Sequence, residues 1–248
     1  MPREAPREAV VLVGGLGTRL RPVVPDLPKP LAPVVGRPFL AWLLDGLAAA
    51  GLTRVVLATG YLGHLVEAAI GPRHAGLDIL YAPEDQPLGT GGALFAALAR
   101  TTGERVFALN GDTWLDADLG ALAAHAPAAD LVLAVRPVAD RTRYGSVVLA
   151  GDRLVGLREK GEAGPGLINS GLYLLHRGLL AKRPLPPAFS FEREVLERPD
   201  GLDIRAFRVD GRFIDIGTPG DLAAAQTLLP EWCGPGGQRA IKDTPCLA

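Results

Sequence analysis

Two cations, Arg19 and Lys29, share the segment from Val10 to Pro33 with Gly14, Gly15 and Gly17. Glycines let the backbone close on an anion with its N–H groups, and a guanidinium and an ammonium add fixed positive charge beside them. Prolines at 22, 25, 28, 30 and 33 keep this region from winding into a helix. The chemistry that fits is the holding of a polyphosphate. Far downstream, Asp112 follows the apolar run Arg105 to Leu109 and the pair Asn110-Gly111, and Asp215 ends the short run at Phe213 and Ile214. Asp112, a carboxylate at a strand end after a glycine, is placed for a metal ion. Asp215 reads as an aspartate accepting backbone N–H groups at the approach to a helix. Asp116 and Asp118 read as turn and helix-start residues.

Two better-known glycine motifs are excluded. The dinucleotide fingerprint fits Gly15 and Gly17 but meets Leu20 at its third glycine. A P-loop needs Gly-Lys followed by Ser or Thr, and the chain contains no Gly-Lys pair. The four histidines show no paired spacing for a metal or a base.

The elements that must position these groups alternate in type. Val10 to Val13 reads as a buried strand feeding the glycine loop. Pro38 opens a helix over Phe39 to Ala50, closed by Gly51. A strand over Arg54 to Ala58, a helix over Tyr61 to Ile70 and a strand over Leu77 to Tyr81 follow. Thr90 reads as the N-cap of a helix running to Arg100, then come the strand at 105–109, a helix over Leu119 to His125 and a strand over Leu131 to Val135. This βα alternation predicts an α/β fold with a Rossmann-like, mixed and mostly parallel sheet flanked by helices. From Arg136 the pattern turns to short strands, at Ser146 to Leu149, Leu154 to Arg158 and Leu167 to Leu175. No Ser/Gly linker separates the two parts. We therefore expect one domain over residues 1–228, with a glycine-loop half at 9–135 and an integrated β-rich half at 136–228. Residues 1–9 and 229–248 read as loose ends, unless Trp232 docks.

Composition narrows the classes. The chain has 248 residues, 48% hydrophobic and 21% charged, and a formal net charge of −1, so no global basic field points to nucleic acid. No apolar run reaches membrane-spanning length, and the start lacks the apolar stretch of a signal peptide. Both cysteines, Cys233 and Cys246, are too peripheral for a disulfide scaffold. These features point to the cytoplasm, and a homodimer is compatible with them.

In order along the chain, G-G-L-G-T-R-L from Gly14, Pro28-Lys29-Pro30, L-G-T-G-G-A from Leu88, L-N-G-D from Leu109, Tyr144-Gly145, Glu159-Lys160, I-N-S-G-L-Y from Ile168 and F-I-D-I-G-T-P from Phe213 resemble the sugar-1-phosphate nucleotidyltransferase family. The wording is most similar to its D-glycero-α-D-manno-heptose 1-phosphate guanylyltransferases, over about residues 9–228. The resemblance implies the nucleotide-diphospho-sugar transferase type of fold, GTP and a sugar 1-phosphate as partners, and Mg²⁺ as cofactor. It implies catalytic roles for Arg19, Lys29 and Asp112, nucleotide contacts from Leu12, Gly14, Gly15, Gly17, Thr18, Glu84, Gly89 and Thr90, sugar-phosphate contacts from Gly145, Glu159, Lys160 and Asn169, and metal ligation by Asp112 and Asp215. Where uridylyl-transferring relatives carry a glutamine this chain has Glu84, whose carboxylate suits the paired N1–H and N2–H₂ donors of guanine. Glu84 reads equally as a solvated loop residue, and the 88–93 stretch alone as a glycine-rich helix start. Val13 departs from the family's small residue before the glycines, narrowing the base pocket or only repacking the strand. Rival readings are another sugar, UTP in place of GTP, or a catalytically silent nucleotide-sugar-binding module.

Overall fold

The computed structural model describes residues 5–15, 17, 19–158 and 161–233. In chain order its strands are β1 Glu8–Leu12, β2 Pro33–Val34, β3 Arg37–Pro38, β4 Arg54–Thr59, β5 Arg73–His74, β6 Leu77–Pro83, β7 Arg105–Asn110, β8 Thr113–Leu115, β9 Leu131–Val138, β10 Ser146–Ala150, β11 Arg153–Arg158, β12 Gly166–His176, β13 Ile204–Arg208 and β14 Phe213–Asp215. The helices are α1 Phe39–Ala49, α2 Gly63–Ile70, α3 Gly89–Leu98, α4 Leu119–His125, α5 Leu179–Lys182 and α6 Pro219–Cys233.

The apolar runs of β1, β4 and β7 are buried on both faces, as strands covered by helices on each side must be. Successive side chains point to opposite faces. Val11, Val55 and Leu57 join a core with α1 and α6, while Val10, Val56 and Ala58 join a second core with α3. One sheet of ten strands results, in the order β10-β11-β13-β9-β12-β7-β1-β4-β6-β5. The parallel run expected of the βα repeats is β7-β1-β4-β6. In the second half β13 lies parallel to β9, and the other pairings are antiparallel. The hinge between the halves is β12, which pairs with β7 on one side and β9 on the other.

Several local expectations shift. Arg7 and Glu8 are not loose. The Arg7 carbonyl accepts from Thr53 N–H at 2.9 Å, and Glu8 is buried at the start of β1. Pro38 precedes α1 instead of occupying its first turn. α6 continues past residue 228 to Cys233, with Leu229 fully buried and Trp232 packed on Trp114 at 5.3 Å between ring centroids. Residues 1–4 and 234–248, with Cys246, lie outside the described residues. The sequence reading had assigned no strand at β8, β13 or β14.

Candidate active site

Lys29 begins a single 3₁₀ turn, Lys29–Leu31, between Pro28 and Pro30. Leu31 N–H bonds the Pro28 carbonyl and Ala32 N–H the Lys29 carbonyl, and Pro33, which supplies no N–H, stops the turn there. Pro30 and Leu31 are buried, which anchors the turn and sends the lysine stem inward. The Lys29 side chain is only 11% exposed, with Nζ 2.5 Å from Asp112 Oδ2 and 3.5 Å from Asp215 Oδ1.

The two aspartates meet because of a small antiparallel pair that the sequence did not announce. After β7, Gly111 N–H donates to the Leu12 carbonyl at 2.9 Å, holding the turn against β1. β8 then leaves the main sheet and pairs with β14, with Asp215 opposite Thr113. Ile216 N–H closes the pair on the Asp112 carbonyl at 3.0 Å. Burial raises the Asp215 carboxyl above its ordinary range, the Asp112 charge raises it further, and Lys29 opposes both. Two carboxylates around one ammonium leave local negative charge. Hard carboxylate oxygens are the donors that a small divalent cation takes, and Mg²⁺ ordinarily needs only one or two protein carboxylates beside water and phosphate oxygens. No group of three or more His, Cys, Asp or Glu suited to a metal occurs among the described residues.

A cavity of about 320 Å³ opens over this cluster. Leu12, Gly15, Gly17, Arg19, Lys29, Thr90 and Asp112 line it, so seven of the residues singled out from sequence come together. The Arg19 guanidinium reaches over Gly217, where an added Cβ would lie 3.4 Å from its Nη2 and 2.8 Å from Asp215 Oδ1. Val13 also faces the cavity, and its Cγ1 packs where a side chain on Gly111 would have to go.

Glu84 follows β6 at the rim of the glycine loop. Its Oε2 accepts from Leu88 N–H at 3.0 Å. Its Oε1 lies against Gly60 and Gly14, and a Cβ on Gly60 would approach that oxygen to 2.3 Å. The carboxylate is thus held by one oxygen, with the other between Gly60, which follows β4, and Gly14, which begins the loop.

Gly89 and Thr90 lie in the first turn of α3, but Thr90 is not its N-cap, because the helix begins at Gly89. The Thr90 hydroxyl instead accepts from Phe191 N–H at 2.9 Å and donates to Glu192 Oε2 at 2.6 Å. The glycines of this motif seat a chain segment. Gly91 N–H donates to the Phe189 carbonyl at 3.0 Å, and a Cβ on Gly91 would fall 2.1 Å from the Phe189 ring. Glu192 therefore joins the cavity wall, although nothing local in the sequence singles it out. Asn110 and Gly217 were likewise passed over, although both adjoin or flank the two aspartates.

The sugar-side predictions are less gathered. Asn169 is engaged within β12, where Oδ1 accepts from Gly171 N–H at 2.9 Å and Nδ2 donates to Tyr173 Oη at 2.7 Å. One N–H and one lone pair of that amide remain. Gly145 precedes β10 and, like Asn169, is not among the residues lining the cavity. Thr18, Glu159 and Lys160 lie outside the described residues.

A glycine loop at the carboxyl end of a parallel strand, facing a lysine and two aspartates, defines a phosphate-handling α/β protein. The chain belongs to the nucleotidyl transferase family, whose model matches residues 8–231. It is 41% identical over 229 residues, 91% of this chain and 99% of the relative, to the D-glycero-alpha-D-manno-heptose 1-phosphate guanylyltransferase of Aneurinibacillus thermoaerophilus. The protein of the same name from Campylobacter jejuni is 38% identical, over 86% of this chain and 96% of its own. Among solved structures, HddC from Yersinia pseudotuberculosis complexed with GMP-PN superposes with a TM-score of 0.80 at 34% identity, covering 89% of this chain and 98% of that one. No helix among the described residues is long and apolar enough to cross a membrane.

Proposed function

We propose that this protein transfers GMP from GTP to D-glycero-α-D-manno-heptose 1-phosphate, releasing pyrophosphate and forming GDP-heptose. The observation that carries the chemistry is the Lys29 ammonium set between Asp112 and Asp215 at the floor of the glycine-lined cavity. The heptose assignment rests on the likeness to relatives bearing that name.

A phosphate oxygen of the sugar 1-phosphate attacks the α-phosphorus of GTP in line. The bond from that phosphorus to the bridging oxygen breaks, and the electron pair leaves on pyrophosphate. The attacking oxygen is already anionic, so no general base is needed, and the protein's work is positioning and charge stabilisation. Backbone N–H groups of Gly14 to Thr18 surround the β- and γ-phosphates. Arg19 stabilises charge on the departing pyrophosphate, and Lys29 turns its ammonium to the α-phosphate. Asp112 and Asp215 would hold Mg²⁺, which supplies Lewis-acid charge at the α-phosphate when bound. Glu84, with one oxygen fixed by Leu88, presents the other to guanine. Gly89 and Thr90 border the nucleotide, and Gly145, Glu159, Lys160 and Asn169 serve the sugar phosphate. These residues act within one domain, in the cytoplasm.

The test is pyrophosphate release with Mg²⁺ across GTP, UTP, CTP, ATP and dTTP, each against heptose 1-phosphate and mannose 1-phosphate. Turnover confined to GTP with heptose 1-phosphate is expected. Preference for mannose 1-phosphate overturns the sugar assignment, and preference for UTP overturns the role of Glu84.

A further inference from the structure

We infer that Glu192 is a further specificity-determining residue, accepting a hydrogen bond from a hydroxyl of the transferred sugar. The inference rests on the guanylyltransferase reading and concerns a residue that reading leaves without work. Glu192 lines the same cavity as Arg19 and Lys29. Its Oε2 takes two donors, Thr90 Oγ1 at 2.6 Å and Ser190 Oγ at 2.9 Å. Among the described residues no side chain or backbone group bonds its Oε1. A carboxylate with an unengaged oxygen in a cavity for a polyphosphate adds repulsion, and it is useful there only if a neutral donor meets it. A sugar hydroxyl is such a donor, and a hydroxyl bonded to a carboxylate is roughly twice as strong a contact as a neutral pair.

The surroundings favour the sugar over the ribose. The Glu192 charge acts on Tyr173, whose hydroxyl bonds Asn169 in the half of the chain assigned to the sugar. Asn110, the neighbouring cavity residue, sits against Gly171 of the same strand. The segment is also built to hold its place. Phe189 N–H donates to the Leu88 carbonyl at 2.9 Å, and Glu197 N–H bonds the Glu192 carbonyl at 2.8 Å in a wide π turn. Such turns occur often at functional sites.

The experiment compares calorimetric affinities of GDP and GDP-heptose for the wild type, Glu192→Gln and Glu192→Ala, with steady-state KM for each substrate as a second readout. Glutamine retains an acceptor for Thr90 and Ser190 and removes the charged one facing the cavity. We expect GDP-heptose affinity to fall about tenfold in the alanine variant, and less in the glutamine variant. In the glutamine variant, which keeps the acceptor that holds Thr90, GDP affinity and the KM for GTP should be unchanged, with the KM for sugar 1-phosphate raised. Equal losses for GDP and GDP-heptose, a KM effect on GTP alone, or unchanged GDP-heptose affinity would overturn the role of Glu192. A wild type that binds GDP-heptose no better than GDP would overturn the sugar contact itself. A wild type that fails to bind GDP would overturn the guanylyl reading instead.

Discussion

Replacing Lys29 by methionine keeps the buried stem and removes only the charge. At 2.5 Å from Asp112 Oδ2 the ammonium has a Coulomb attraction of about 6–7 kcal/mol at an effective permittivity near 20. Desolvation of the lysine offsets much of this, and Asp112 is a third exposed, so the net loss of stability should be about 1–3 kcal/mol. The effect on catalysis should be larger in rate terms. A preorganised donor aimed at developing charge is typically worth about a hundredfold to a thousandfold, so kcat/KM for GTP and heptose 1-phosphate should fall at least about a hundredfold. The two effects also separate by their response to Mg²⁺. In the ligand-free protein Lys29 offsets part of the charge of the two aspartates, and without it they repel each other more strongly. Lys29→Met should therefore melt below the wild type in chelator and gain more than the wild type when Mg²⁺ is added. Pyrophosphate release and thermal melts with and without Mg²⁺ read both. A loss of activity under about tenfold in a folded variant would sink the catalytic role. A smaller gain from Mg²⁺ than the wild type shows would sink the view that the ammonium and the metal ion answer the same carboxylates.

Glu84→Gln should lower kcat/KM for GTP about tenfold and raise turnover with UTP relative to GTP, because an amide has a single oxygen to divide between Leu88 N–H and the guanine donors, where the carboxylate has two. An unchanged GTP-to-UTP ratio would remove Glu84 from base selection. Glu8→Gln should destabilise the fold by about 1–3 kcal/mol at neutral pH. Burial would raise the Glu8 carboxyl, but N–H groups of Gly103 and Thr102, the Thr102 hydroxyl and Arg54 together hold it below 4.5. A depressed folded value means that its stabilisation is complete above 4.5 and is lost as pH falls through the folded value. Denaturant melts should thus show the gap between wild type and variant closing below 4.5, and a gap that stays constant there would refute the account.

What was legible in the sequence follows the range over which its signals act. The β1 loop and the strand before Asp112 are local, and a few residues suffice to define them. By contrast, β8 and β14 have three residues each and are strands only because each has the other. Neither has enough side chains to set a period. Thr90 was misread for a related reason. Its type and position suit a helix cap, and only the return of the 187–192 segment shows that its hydroxyl serves Glu192. The same return explains Gly89, Gly91 and Gly92 better than a need for flexibility does, because the backbone and ring of Phe189 occupy the space beside the first two and the Pro187 carbonyl the space beside the third. Asn169 was chosen for its chemistry, and that chemistry is partly used inside β12.

The placement of the two aspartates bears on why the halves share a sheet. Asp112 leaves β7, in the parallel part, and Asp215 ends β14, in the later part. Their separation is set by the β8–β14 register and by the bond from Ile216 to Asp112. A slip of one residue in that register would turn Asp215 away from Lys29. The register is held from both directions. β12 is hydrogen-bonded to β7 beside the first aspartate, while Trp114 of β8 packs on Trp232 of α6, the helix that follows the second. A flexible joint between halves would let the carboxylates drift, and a drift of about 1 Å at a positioned group can cost on the order of a hundredfold in rate. Chemistry that consists of holding phosphates in line is therefore best served by a single continuous sheet, with closure left to loops and side chains.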